Sequence, residues 1–240
     1  MKVEQNHMSR IVRVIDYETT GLPENVGSEV IELGRVDVDL ESMTVGNLWR
    51  SFASPTGPVP PEVKAVHHIV EADLAGAPVL SNLWSSFWEG CGPDDIIAAH
   101  NATFEQHFHH GDGRAWIDTY KCALMIWPDA PAHNNQTLRY WLDLDNSPAF
   151  SRELAMPPHR ALPDAYVTAQ ILVRMLAERS VPDLVTVSAK PALLNKVSFG
   201  KHRGMKFSEV PADYLQWIRD KSDMNEDVKF TAAHWLQARR

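Results

Sequence analysis

Two carboxylates lie two residues apart at the end of an apolar segment near the start of the chain. Residues 12–22 read VRVIDYETTGL, and the β-branched residues predict a buried strand that ends near Asp16 and Glu18. Side chains at i and i+2 of an extended backbone point to the same side, so their like charges need a neutralising partner. We interpret the pair as ligands of a divalent cation. The alternative is a strand end that carries acids before a polar turn.

Two further segments place acidic residues and a histidine near expected helix starts. AHNATFE puts Glu105 after a short apolar run, at the start of a helix, and HRALPDA puts His159 and Asp164 five residues apart across another helix start. Taken singly, each segment is also compatible with ordinary capping, because acids are favourable at helix N-termini. The three segments are more informative together than singly, because their order, their spacing and their flanking residues all fit a single motif pattern.

The elements that would position these residues follow from hydrophobic periodicity. Besides the first strand, the pattern predicts strands at 29–39, 48–53, 96–99 and 116–118. It predicts helices at 61–66, 80–89, 104–108, 121–127, 137–142 and 160–179. Strands dominate the first part of the chain, and strands alternate with helices later. This order favours an α/β fold with a mixed sheet flanked by helices.

The composition indicates an ordinary globular protein. The 240 residues are 44% hydrophobic and 22% charged, enough for one domain with a short appendage. The net charge of −8 argues against a protein that coats nucleic acid by bulk charge, but not against one that holds a strand locally. The first residues, MKVEQNHMSR, lack a signal core, and no apolar run reaches membrane-spanning length. Cys91 and Cys122 show no metal or redox spacing, so we expect reduced thiols, a cytoplasmic location and no membrane partner.

Taken together, the three segments resemble the motifs of the DEDDh family of 3′ to 5′ exonucleases. IDYETTGL is similar to the first motif, AHNATFE to the second and HRALPDA to the third, while VPPEVKAVHHIVEADLAGAP resembles the stretch between the first two. The resemblance covers about residues 13–176. It implies an RNase H-like mixed sheet flanked by helices, with a small C-terminal appendage.

The resemblance also implies a role for each acid in two-metal hydrolysis of a terminal phosphodiester. Asp16 would bridge two Mg²⁺ ions, Glu18 and Asp164 would complete the first ion, and Glu105 would hold or orient the second. His159 would be the general base that takes a proton from the attacking water. The expected products are 5′-mononucleotides.

One position departs from the family pattern. The second motif of the family ends in Asp, and Glu105 is longer by one methylene, which extends its reach by roughly 1.3 Å. Mg²⁺ prefers near-ideal octahedral geometry at about 2.1 Å, so the longer side chain could favour the more permissive Mn²⁺ or weaken the second site. The alternative to an active enzyme is therefore a nucleic-acid-binding module with weakened catalysis.

The predicted substrate contacts surround the first two motifs. The resemblance implies that Gly21 and Leu22 seat the 3′-terminal nucleotide and that Val66 and His67 contact its base and sugar; the alternative for His67 is an exposed helix end. Thr19 supplies a hydroxyl beside the acids, and Asn101 buttresses the site. A zinc site at His107, His109 and His110 is disfavoured, because no cysteine or acid lies at ligand spacing.

The end of the chain differs in character from the rest. We expect a catalytic domain at 9–180, a linker at 181–196 and a small basic and aromatic module at 197–240. No acid lies between Asp183 and Glu209, whereas Lys201, Arg203 and Lys206 fall inside this interval. We interpret these cations as a nucleic-acid contact, the alternative being a solvated loop and a capping helix.

The expected partner is the 3′ end of single-stranded or duplex DNA. The segment SFGKHRGMKFSEVPADYLQWI resembles the tail of a DNA-degrading member of the family, which favours DNA. An exoribonuclease is the alternative, because the same catalytic arrangement can act on either sugar. The sequence makes no prediction of the oligomeric state.

Overall fold

The structure, a computed structural model, describes residues 11–239. Within this range, five strands form a mixed sheet in the order β3-β2-β1-β4-β5. Their bounds are β1 (Ile11–Thr19), β2 (Val30–Asp39), β3 (Val45–Phe52), β4 (Ile96–Ala99) and β5 (Trp116–Asp118). β2 pairs antiparallel with both β1 and β3, whereas β4 pairs parallel with both β1 and β5. The predicted mixed sheet is confirmed, while residues 1–10 and the predicted domain start at residue 9 lie outside the described range.

The first strand is longer than the sequence predicted. β1 continues through Thr19, so Asp16 and Glu18 lie inside the strand rather than at its end. The extension has a physical cause, since β2 continues the ladder on that side and pairs Asp16 with Gly34 and Glu18 with Glu32. Both carboxylates are thus held by paired backbone and not by a loop.

Helices flank both faces of the sheet, and the last two helices of the chain belong to the C-terminal segment. The helices are α1 (Pro61–His67), α2 (Trp84–Trp88), α3 (Thr103–Phe108), α4 (Thr119–Ile126), α5 (Asn135–Trp141), α6 (Ala161–Leu176), α7 (Val181–Ser188), α8 (Ala212–Lys221) and α9 (Glu226–Gln237). Alternate residues of β1 face opposite sides, as a pleated strand requires. Val12 and Val14 belong to the core cluster that includes α6, whereas Ile15 and Tyr17 belong to the cluster around Phe87 of α2.

A close approach between α6 and β2 fixes the position of the longest helix. A Cβ added to Gly34 would lie 2.3 Å from the carbonyl carbon of Ala161, so only glycine allows the start of α6 to reach the strand. Gly34 is also the β2 partner of Asp16. The same glycine therefore brings the N-terminal turn of α6, which carries Asp164, to the part of the sheet that holds Asp16 and Glu18.

The C-terminal segment has a core of its own. Its buried residues include Val197, Phe207, Leu215 and Ile218, which form a cluster distinct from those on the sheet. The predicted linker at 181–196 is not entirely irregular, because its first part is α7, whose buried Leu184 packs into the main core. No helix within residues 11–239 is both long and apolar enough to cross a bilayer.

Candidate active site

Three carboxylates from two elements meet at one point on the sheet. Asp16 and Glu18 project from β1, and Asp164 lies in the first turn of α6. One ligand atom from each of the three lies within 4.8 Å of the other two. Each residue is partly buried. The arrangement concentrates negative charge where it is only partly solvated, which is unfavourable without a cation.

The electrostatics of the cluster reflect this crowding. Burial raises the pKa of the Asp16 carboxyl well above its usual range, and the charges of Asp164, Glu18 and Glu105 raise that pKa further. Burial and the charge of Asp164 raise the pKa of Glu18 to about 8, although Arg160 opposes the shift. Burial also raises the pKa of Asp164. A divalent cation at this point would lower the pKa values of all three carboxyls and favour their ionised forms.

Glu105 lies outside the group of three carboxylates whose ligand atoms come within 4.8 Å of one another, but its charge contributes to the raised pKa of Asp16. It lies in the first turn of α3, is 3% exposed, and burial raises its pKa well above the usual range. Its Oε2 atom is buried and has no hydrogen-bond partner among the described residues. A buried carboxylate oxygen without a partner is costly unless a cation or water satisfies it. The oxygen-only donor set and this unpaired atom therefore fit a hard divalent cation.

The loop before Glu105 is fixed by an aspartate that the sequence interpretation missed. The buried carboxylate of Asp118, at the end of β5, accepts hydrogen bonds from the backbone N–H groups of Asn101 and Ala102, both at 3.2 Å. The same carboxylate caps α4 by accepting from the N–H groups of Tyr120 and Lys121. Asp118 thus joins the start of α3 to the end of β5.

Asp164 is held by neighbours on two elements. Its Oδ2 accepts from the backbone N–H of His159 at 2.6 Å, and its Oδ1 accepts from the Gln136 side chain at 3.2 Å. Arg160 donates from Nε and Nη2 to the two carboxylate oxygens of Glu32, at 2.8 and 2.7 Å. This paired contact joins the start of α6 to β2. Neither Glu32 nor Gln136 was among the residues predicted from the sequence.

His159 lies beside this acid cluster. His159 is exposed, and its backbone φ of 58° lies in the left-handed region that is uncommon for a residue with a side chain. The hydrogen bond from its N–H to Asp164 fixes the backbone in this conformation. The residue is exposed to solvent, and its charge partly offsets the rise in the pKa of Asp164.

The predicted substrate residues occupy different environments. Thr19 is buried, and its hydroxyl donates to the carbonyl of Gly21 at 2.6 Å, so it shapes the turn after β1. Gly21 and Leu22 line a cavity of about 440 Å³ between this turn and residues 56–63. Leu22 and Val66 are exposed large apolar residues, and Asn101 is exposed beside α3.

His67 is not an exposed helix end. It is 2% exposed, its Nδ1 accepts from the N–H of Ile69 at 2.9 Å, and burial lowers its pKa. Its Nε2 is buried and makes no hydrogen bond of good geometry within the described part of the chain, although the backbone of Thr19 lies near enough to oppose the lowering of the pKa. The neighbouring His68 is exposed. Among the other histidines, His109 is enclosed by the rings of two tryptophans, with ring centroids 4.6 and 4.9 Å away.

The three predicted C-terminal cations lie in one loop of the C-terminal segment. Lys201, Arg203 and Lys206 are all exposed. The ammonium of Lys206 is 4.0 Å from the carboxylate of Asp129. These three cations are therefore distant in sequence from the carboxylate cluster, and they lie in a different structural element.

Comparison with known proteins identifies the class. The exonuclease family model matches residues 13–172, two-thirds of the chain, so the chain belongs to the exonuclease family. The resemblance to the DEDDh exonucleases is thereby confirmed, and the protein is a nuclease of the hydrolase class.

Individual proteins show which members of the exonuclease family this chain is similar to. The chain is 28% identical to exodeoxyribonuclease 10 of Escherichia coli strain K12, over 95% of this chain and 99% of that protein. It is similar to a solved structure of exonuclease X in complex with 5′ overhanging duplex DNA, with a TM-score of 0.59 and 26% identity over 74% of this chain and 99% of the other. The DNA polymerase III subunit epsilon of Pasteurella multocida is 26% identical over 88% of this chain and 90% of that protein.

Proposed function

We propose that this protein is a metal-dependent 3′ to 5′ exonuclease that acts on DNA and releases 5′-mononucleotides. One observation carries the proposal: Asp16, Glu18 and Asp164 offer ligand atoms within 4.8 Å of one another. The unpaired buried oxygen of Glu105 supports it, since that acid also acts electrostatically on Asp16.

The carboxylates divide into two ligand sets in this proposal. Asp16 would bridge two Mg²⁺ ions, Glu18 and Asp164 would complete the first, and Glu105 would hold the second; Mn²⁺ would substitute. When bound, such ions stabilise the negative charge on the attacking and leaving oxygens of a phosphodiester. The longer side chain of Glu105 starts from the fixed first turn of α3, so its rotamer decides how well it reaches the second ion.

His159 acts as the general base. A neutral imidazole accepts a proton from the attacking water near pH 7, and a positioned base contributes about 10² to 10⁴ in rate. The hydrogen bond between its backbone N–H and Asp164 keeps the residue next to the first ligand set. The leaving 3′ oxygen takes its proton from solvent.

The preference for DNA rests on the relatives, and the 3′ to 5′ polarity rests on the resemblance of the three motifs to those of the DEDDh exonucleases. The match to exodeoxyribonuclease 10 covers 99% of the length of that relative. A similar solved structure is that of exonuclease X in complex with 5′ overhanging duplex DNA. In this reading, Gly21, Leu22, Val66 and His67 contact the terminal nucleotide. We also infer a cytoplasmic location, because Cys91 and Cys122 are free, buried thiols.

Matched DNA and RNA oligonucleotides with a 5′ label test the proposal. Incubation with Mg²⁺ or Mn²⁺ should shorten the DNA stepwise from its 3′ end, and Asp16→Asn should abolish shortening. Glu41→Gln, an exposed acid in the turn between β2 and β3, is the matched control and should retain the wild-type rate. Faster cleavage of RNA would establish an exoribonuclease instead. Binding without turnover in either metal would establish a binding module.

A further inference from the structure

The C-terminal segment carries an exposed stack of two aromatic rings. Tyr214 and Trp217 project from α8 three residues apart, with ring centroids 5.4 Å apart and planes inclined by 27°. Trp217 is 42% exposed, so part of its ring system is open to solvent. The rings of His202 and Tyr214 pack edge to face, with centroids 4.6 Å apart. The stack is therefore supported on one side by His202 and open to solvent at Trp217.

A short basic loop stands beside this stack. Backbone hydrogen bonds from Val197 to Met205 and from Gly204 to Val197 close the loop, at 2.9 and 2.7 Å. The ammonium of Lys201 lies 5.3 Å from the centre of the Tyr214 ring, a cation–π contact. The ion pairs of residues 11–239 include Lys206 but neither Lys201 nor Arg203. These two exposed cations are available to an anion next to the aromatic rings.

Gly200 allows the loop to approach the stack. A Cβ on Gly200 would lie 2.8 Å from the Tyr214 hydroxyl, and its φ of 58° is in the left-handed region that favours glycine. The loop and the rings are thus built as one surface, which we call the aromatic–basic surface and define as Lys201, Arg203, Tyr214 and Trp217.

We propose that the aromatic–basic surface binds an unpaired nucleotide of single-stranded DNA, with its base on Trp217 and its phosphates at Lys201 and Arg203. Bases stack on exposed aromatic rings, and cations beside the rings follow the backbone. The chain as a whole has a net charge of −8 and repels a polyanion, so the charge complementarity with DNA is confined to the aromatic–basic surface. Paired bases already cover each other's faces, so a single strand fits the surface and the interior of a duplex does not. This contact deepens the proposed function by adding a second substrate site, but binding there does not require hydrolysis.

Fluorescence anisotropy of a labelled oligothymidylate with the full chain, in chelator to prevent turnover, tests this contact. Trp217→Ala should weaken binding about tenfold, since stacking of one base contributes roughly that factor. Trp217→Phe should restore most of the affinity, because it keeps an aromatic face. Replacing both Lys201 and Arg203 by alanine should reduce the slope of log affinity against log salt by about 1.4. Trp141→Ala, in which a tryptophan of 43% exposure is removed from α5, is the matched control.

The outcomes separate this inference from the catalytic proposal. Hydrolysis of a substrate too short to span two sites, the p-nitrophenyl ester of thymidine 5′-monophosphate, should be unchanged by Trp217→Ala. If Trp217→Ala and Trp141→Ala bind the oligomer equally well, the inference is overturned, whatever the hydrolytic rate. If single-strand affinity falls as expected but no variant hydrolyses any substrate, the surface stands and the catalytic proposal fails. Equal losses for oligomer and blunt duplex would also contradict a single-strand site.

Discussion

Replacing Gly34 by alanine should disable the site without touching a carboxylate. The new Cβ would lie 2.3 Å from the Ala161 carbonyl carbon and 2.4 Å from the Leu162 nitrogen, whereas ordinary contact begins at 3.4 Å. The obstructing atoms are backbone, so the start of α6 must retreat by about 1 Å to relieve the overlap. Asp164 moves with that turn, away from Asp16, which is the β-ladder partner of Gly34.

The size of the effect follows from this displacement. A 1 Å misplacement of a catalytic group costs about 10²-fold in rate, so Gly34→Ala should lower the rate of oligonucleotide shortening by about that factor. Overpacking costs about 1 to 3 kcal/mol, which should lower the Tm by about 3 to 10 °C in a chain of this size.

Gly46→Ala supplies the matched control for this experiment. Gly46 is also a strand glycine, in β3, but an added Cβ would meet nothing within 4 Å. This control should keep the wild-type rate and Tm. Exonuclease assays and thermal unfolding of the three proteins would refute the reasoning if Gly34→Ala and Gly46→Ala were indistinguishable.

Three further predictions concern charge. In chelator, the carboxyl of Glu18 is protonated in the folded state up to about pH 8 but ionised in the unfolded state above 4.5. Stability should therefore fall as pH rises between these values, with a contribution from Glu18 on the order of 5 kcal/mol; Glu18→Gln should make the slope shallower, and saturating Mg²⁺ should oppose it. Burial lowers the pKa of His100 to about 4, so as pH falls the unfolded state takes up a proton at a higher pH than the folded state does. Stability should therefore fall by about 3 kcal/mol as pH drops from 6.5 to 4. Equal slopes of stability against pH in the wild type and His100→Asn would count against this prediction. Arg160→Lys loses the two-point contact with Glu32 and should lower kcat about tenfold with little change in KM, while an unchanged kcat would show that the contact does not position His159 and Asp164.

Much of the fold was predictable from local pattern. The alternation of apolar residues gave the strands, and the structure confirms the mixed sheet. The proximity of Asp16 and Glu18 also follows from strand geometry alone, because residues i and i+2 share a face. Glu105 and Asp164 could be associated with them only through the motifs, since local periodicity carries no information about which distant elements meet.

The missed features are all non-local. The Arg160–Glu32 contact joins residues 128 positions apart in the sequence, and Ala161 and Gly34, which approach each other closely, are separated by a similar number of residues. A glycine inside a strand is a signal of close backbone approach, but the sequence does not say which segment approaches. The end of β1 was misplaced for the same reason, because pairing with β2 carries the strand past Asp16.

The stoichiometry of metal binding tests the central claim most directly. Electron paramagnetic resonance of free Mn²⁺, titrated into the protein with saturating thymidine 5′-monophosphate, counts the ions bound per chain. Two ions for the wild type, and one for Glu105→Ala, would agree with a site in which Asp16 joins two cations and Glu105 holds the second. One ion or none for the wild type, or an unchanged count in Glu105→Ala, would contradict it.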